Sequence, residues 1–270
     1  MFGRGPFRPD GALQMNDAGE GGPQSVGTPD RHARGLLEHE PDPLRYDEPP
    51  DDPDETPSML RRLIPHGSKV LDIGCGTGSL TIAATRGLEA RVLGVEPDPR
   101  RAELARSRGI EVVCGSADRE LLEKHGPFDI VILSDVLEHL AEPSELLREL
   151  AGALRPRGKV LASVPNVAHW TVRLRLLAGK FDYQPAGIMD ATHLRWFTAY
   201  SLRMLFARCG FEIISLRPTA GTWMPEYAAL PFRLLPVRPR NVVVRRLARS
   251  FPRLFGCQFI VEATLGRRQD

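Results

Sequence analysis

Five acids and two histidines of this sequence are spaced so that they could form a reactive site. Asp72 ends the apolar run Val70-Leu71, and Ile73 leads on into Gly74-Cys75-Gly76-Thr77-Gly78. Glycines so spaced let the backbone take positive φ and approach a ligand without side chains in the way. A dinucleotide loop uses the same device, with GxGxxG holding a pyrophosphate at a helix N-terminus. Here the third glycine comes one residue early, and Ser79 stands where that pattern wants glycine. The carboxylate of Asp72 would repel a pyrophosphate but can accept hydrogen bonds from an ammonium group. Glu96 follows about twenty residues after the loop, where a nucleotide fold holds ribose hydroxyls. Asp118, in Gly115-Ser116-Ala117-Asp118, falls after the next apolar run and reads equally as the N-cap of 119–123.

A second group could handle protons. Asp135-Val136-Leu137-Glu138-His139-Leu140 follows the run 128–133 and its neighbour Ser134. Farther on come Pro165-Asn166, His169, Trp170, Asp190, His193, Arg195 and Trp196. A hydroxyl or amine that acts as a nucleophile must lose a proton, and histidine has a side-chain pKa suited to taking it near neutrality. His139 and His193 are the expected general bases. The competing reading is a capping role for His139 and a structural polar knot for Asp190, His193 and Arg195.

The elements needed to position these residues are legible in the periodicity. Short apolar runs at 69–73, 91–95, 111–114, 128–133, 159–164, 211–216 and 258–265 read as seven strands. Helical stretches at 79–86, 99–108, 143–154 and 199–209 alternate with them, the mark of parallel βα units. The run at 128–133 is apolar enough to be buried on both faces.

The loop and its acids in this order resemble the first motifs of the class I S-adenosylmethionine (SAM)-dependent methyltransferases, from about Met59 to Leu265. The resemblance implies an α/β fold with a Rossmann-like seven-stranded, mostly parallel sheet, helices on both faces and an antiparallel last strand. It implies SAM as cofactor, with Asp72, Gly74, Cys75, Gly76 and Gly78 at the loop, Glu96 on the ribose hydroxyls, Asp118 at the adenine amine and Ser134 at the edge of the methionine pocket. In some relatives, among them RNA 3′-terminal ribose methyltransferases and ubiquinone-pathway O-methyltransferases, an acid-x-x-Glu-His run binds a divalent metal. Asp135, Glu138 and His139 match that run, with Asp for the usual Glu, and His193 is placed like a further ligand; a metal is the less favoured reading. The stretches 164–170 and 190–198 are similar to methyltransferases of the bacterial MetW type, many of which are presumed to act on sugars or secondary metabolites. The expected activity is O-methylation of a small-molecule or saccharide hydroxyl. RNA ribose methylation and a non-catalytic SAM-fold module remain alternatives.

Composition frames this reading. Up to Ser58 five arginines face thirteen acids, whereas the whole chain is +2. Residues 1–56 are rich in Gly, Pro, Asp and Glu without an apolar period, and read as a disordered acidic tail before a methyltransferase domain at 57–270. Residues 217–256 form a basic insertion between the last two strands. Its eight arginines are interleaved with aliphatic and aromatic residues, which suits a substrate lid, a packed flap or, over 221–255, peripheral contact with a membrane surface. The abundance of arginine is read as base composition, so nucleic acid is not favoured as a partner. Four unpaired-looking cysteines and no run of ~20 apolar residues point to a reduced, cytoplasmic protein without a membrane span or structural zinc. The oligomeric state is left open.

Overall fold

The computed structural model describes residues 47, 52–229 and 231–266 of the 270. Seven strands form one sheet in the order β3-β2-β1-β4-β5-β7-β6. They are β1 (Lys69–Ile73), β2 (Arg91–Glu96), β3 (Glu111–Cys114), β4 (Phe128–Ser134), β5 (Leu154–Pro165), β6 (Phe211–Pro218) and β7 (Gln258–Leu265). Only β7 runs antiparallel, to β5 on one side and β6 on the other, as the family resemblance implies. Its register pairs Pro165 with Gln258, which brings the first residue of β7 to the carboxyl edge of the parallel strands.

Successive side chains on a strand point to opposite faces, so each central strand feeds two cores. Val70, Ile130, Ile132 and Leu161 pack under α1 (Thr56–Arg61) and α2 (Ser79–Thr85). Leu71, Val131 and Val160 pack on the other face with Leu147 and Leu150 of α5 (Pro143–Ala153) and Leu202 and Phe206 of α7 (Ala199–Arg208). Between these lie α3 (Pro99–Ser107), α4 (Arg119–His125) and α6 (Trp170–Leu177), and the chain closes through α8 (Val237–Ser250) and α9 (Pro252–Phe255). The helix starts follow the capping residues. Asp98 accepts from the amides of Arg100 and Arg101, and Thr198 and Ser201 form a reciprocal capping box.

Three expectations shift. The strand expected at 159–164 begins at Leu154, because the chain passes from α5 into β5 without a free loop. The helix at 170–177 was not expected, since its apolar residues are shared between the core and solvent. The acidic tail expected to run to 56 meets packed structure before that boundary. Glu55 is buried, its carboxylate accepting from the Gly221 amide at 2.8 Å and the Trp223 indole at 3.3 Å. One guanidinium nitrogen of Arg249 donates to both oxygens of Asp54, which also forms an ion pair with Arg245 of α8. Residues 1–46 and 48–51 of that tail lie outside the described residues. The insertion forms two 3₁₀ turns, Pro225–Ala228 and Phe232–Leu234, then α8, anchored by the buried Tyr227, Val244 and Ala248.

Candidate functional site at the carboxyl edge of the sheet

Ligands of open α/β sheets bind beyond the carboxyl ends of the strands, and that edge gathers most of the expected residues. Gly74, Gly76 and Gly78 all take positive φ. The amides of Gly74 and Cys75 both donate to the Val95 carbonyl at the end of β2. A Cβ on Gly74 would lie 2.8 Å from Val136 Cγ2, and one on Gly78 would lie 2.5 Å from Ile110 Cδ1. These two glycines therefore permit close packing. A Cβ on Gly76 would meet nothing within 4 Å, so the loop is open there, as a backbone cradle for a ligand requires. Cys75 points the other way, into the contacts of Ala102, Ala105 and Val112, and burial pushes its thiol pKa well up.

Glu96 holds the loop from the neighbouring strand. It accepts from the Gly76 amide at 2.8 Å and the Asp98 amide at 3.0 Å, leaving lone pairs on both oxygens for two further donors. Asp72 lies deeper than its sequence pattern implies. It is 2% exposed and accepts the Thr81 hydroxyl at 2.5 Å. Burial, aided by the charge of Glu96, raises its pKa to about 7. An acid pair beneath an open glycine loop is a site short of positive charge, and the donor set fits a sulfonium nucleotide. Asp118 is exposed and caps α4 through the Leu121 amide at 2.8 Å, with acceptor capacity to spare. Ser134 shares a hydrogen bond with Ser163, 2.8 Å between hydroxyl oxygens.

The second group splits in two. Asn166 and His169 are core residues. Asn166 donates to the Gly256 carbonyl and accepts from the Ala168 amide. His169 lies between the hydroxyls of Thr171 and Tyr227, and burial pushes its pKa down to about 4. Trp170 packs with Tyr227, Phe232 and Phe255. These three leave the list of acceptor-side residues.

Glu138, His139 and His193 do come together. The 3₁₀ turn Leu137–His139 meets the 188–195 segment through the amides of Leu194 and Arg195, which both donate to the Glu138 carbonyl. The two imidazole centroids stand 4.9 Å apart, edge to face. Nδ1 of His139 faces the Thr192 carbonyl and Nδ1 of His193 the Ile188 carbonyl, each at 3.2 Å. A carbonyl only accepts, so in each of these contacts Nδ1 is the donor. Glu138 is 1% exposed, and burial beside the charge of Asp135 raises its pKa. Ligand atoms of Glu138, His139 and His193 lie within 4.8 Å of one another, close enough to hold a cation.

Asp135, the fourth expected metal ligand, is not in that cluster. Its backbone takes positive φ, its amide donates to Ser163, and its carboxylate accepts the Gln258 amide at 2.7 Å. Burial raises its pKa to about 6. Asp190 folds back on its own turn, accepting from the Thr192 amide and hydroxyl.

Thr81, Ser163 and Gln258 had not been singled out. Thr81 and Ser163 carry no sequence signal, whereas Gln258 is a polar residue opening an otherwise apolar strand. Also unforeseen is Asp47, which clasps the loop from outside. It accepts from Ser79 at 2.7 Å, from Thr77, and from two guanidinium nitrogens of Arg108 at 2.6 and 2.8 Å. The Arg108 bond chiefly holds its carboxyl well below the usual range.

The fold with its open loop and acid pair defines the class I SAM-dependent methyltransferases. A family model described as a methyltransferase domain matches residues 51–216, more than half of the chain. The chain belongs to that family. A ubiquinone biosynthesis O-methyltransferase of Xanthomonas axonopodis is 34% identical over 39% of this chain and 46% of the relative. One of Idiomarina loihiensis is 32% identical over 56% and 64%. The chain thus spans about half to two thirds of the length of these curated relatives. A solved SAM-dependent methyltransferase from Archaeoglobus fulgidus superposes with a TM-score of 0.54 at 21% identity, covering 77% of this chain and 91% of that one. The [4+2]-cyclase SpnF superposes with a TM-score of 0.51 at 19% identity, covering 79% and 80%. Likeness at such identities concerns the fold alone. No helix among the described residues is long and apolar enough to cross a membrane.

Proposed function

We propose that this protein transfers the methyl group of SAM to a hydroxyl oxygen of a small molecule, with His139 or His193 as general base. The observation that carries the reading is the imidazole pair beside buried Glu138, on the sheet edge that also bears the glycine loop. SAM supplies a methyl carbon on a positively charged sulfur, already a good leaving group. The loop and Glu96 would hold the nucleoside, Asp118 would meet the adenine amine, and Asp72 would offset the positive charge from beneath. The acceptor oxygen displaces sulfur in line at carbon. The O–C bond forms as C–S breaks, and the hydroxyl proton passes to Nε2 of an imidazole. Protein catalysis then lies mainly in alignment and in that proton transfer.

The curated relatives favour a small-molecule acceptor over RNA. Phe181, Tyr183 and Trp196 add an aromatic group with centroids 5.6 to 6.0 Å apart, on the segment that carries His193. A planar phenolic acceptor suits it, and a saccharide can stack there as well. Calorimetry with SAM, followed by methyl transfer from labelled SAM to panels of phenols and saccharides, tests the reading. SAM binding with O-methylated product is expected; failure to bind millimolar SAM overturns it.

A second reading rests on the Glu138, His139 and His193 cluster. These residues would hold a divalent cation that lowers the acceptor's pKa in place of a histidine base. Metal content after dialysis, and turnover with and without chelator, separate the two readings.

A further inference from the structure

The outer side of α8 is a surface that the methyltransferase site does not use. Val244 and Ala248 face inward, fully buried, and two acids of the strap at 52–56 neutralise one flank, Asp52 and Asp54 pairing with Arg245 and Arg249. At 3.6 residues per turn, Val242, Val243 and Arg246 fall on the opposite side. Val242 is 59% exposed there, and the surface continues through Val237 at 60% and Leu234 at 76% before the helix, and Phe251 at 59% after it. Arg238, Arg246 and Arg253 are exposed along the same stretch, and no carboxylate of the described residues pairs with them.

Exposed aliphatics alone would say nothing of what covers them. Interleaved with guanidinium groups that pair with no carboxylate of the described residues, they match a surface that is apolar below and negatively charged above. We propose that this side of α8 docks on an anionic lipid surface. Val242, Leu234 and Phe251 would enter the headgroup–acyl boundary, and Arg238 and Arg246 would meet lipid phosphates. A zwitterionic bilayer lacks the negative charge, and the acidic strap already occupies the other flank of the helix.

The test is flotation of the full-length protein with phosphatidylglycerol-containing vesicles, with pure phosphatidylcholine vesicles as reference. Binding to the anionic vesicles alone is expected, weakening with salt. The double variant Arg238→Gln/Arg246→Gln is expected to lower partitioning about 30-fold, from about 1 kcal/mol for each cation near an anionic surface. Val242→Ser should weaken binding with little change in salt dependence. Circular dichroism and SAM affinity, which these surface changes should leave unaltered, establish that the variants are folded. Equal binding to both vesicle types, no binding, or binding unchanged in both variants overturns the proposal. Concentration-dependent self-association that the same variants abolish also overturns it, because the face would then join two copies of this chain.

Discussion

Two residues carry the proposed chemistry most directly. Asp72 is buried beneath the loop with its pKa raised to about 7 by burial, so it gives up its proton most readily when a cation arrives. SAM binding should therefore tighten as pH rises through neutrality and weaken by up to about tenfold per pH unit below it. Asp72→Asn should bind more weakly at pH 8 and lose that dependence, as calorimetry at pH 6, 7 and 8 would read. An unchanged profile in the variant would assign the titration to another group. His193→Ala should leave SAM affinity within about twofold while lowering turnover by roughly 100-fold or more, the usual contribution of a general base. An unaltered rate would remove His193 from the proton path. Both residues were legible as candidates in the sequence, because a carboxylate before a glycine bend and a histidine after Asp190 are local patterns. It overstated Asn166 and His169, whose core roles depend on Gly256 and Tyr227, about 60 to 90 positions away.

At the scale of elements, strands were legible wherever hydrophobic period alone decides them. The expected spans at 69–73, 111–114 and 258–265 match the observed β1, β3 and β7 to the residue. Elements fixed by long-range polar contacts were not. The strap at 52–56 has no apolar period, yet Glu55 inserts between Gly221 and Trp223, and Thr56 donates to Gln258 Oε1 at 2.8 Å. Burial raises Glu55 to about 7 from 4.5. An acid whose folded pKa lies above its unfolded value favours the folded state below the unfolded pKa, and that advantage is lost as pH rises through the folded pKa. The strap should therefore loosen between about pH 4.5 and pH 7, at a cost on the order of 3 kcal/mol by pH 8. Glu55→Gln should flatten the dependence of Tm on pH across that window. A slope equal to the parent's would show that Glu55 does not control it.

For the whole molecule, the chain leading into α1, together with its first residue, ties together parts that the sheet leaves separate. Asp47 joins the glycine loop to the end of α3 through Arg108. Asp52 and Asp54 hold α8, and Glu55 holds the turn that opens the insertion. Thr56 reaches Gln258, whose amide in turn positions Asp135. One short acidic stretch thus touches the cofactor loop, the acceptor-side edge and the basic helix, so its removal should be felt at all three. Deleting residues 1–46 spares each of these contacts and should leave SAM affinity and trypsin resistance close to the parent's. Deleting residues 1–56 removes them together. It should lower Tm, open α8 to rapid cleavage after Arg240 and Arg246 and weaken SAM binding, since the loop loses its outer clasp. Limited trypsin digestion read by mass spectrometry, beside calorimetry on both truncations, distinguishes the outcomes. If the shorter protein resists trypsin like the parent, α8 is held by Tyr227, Val244 and Ala248 alone. The acidic strap then neutralises charge without fastening the insertion to the domain.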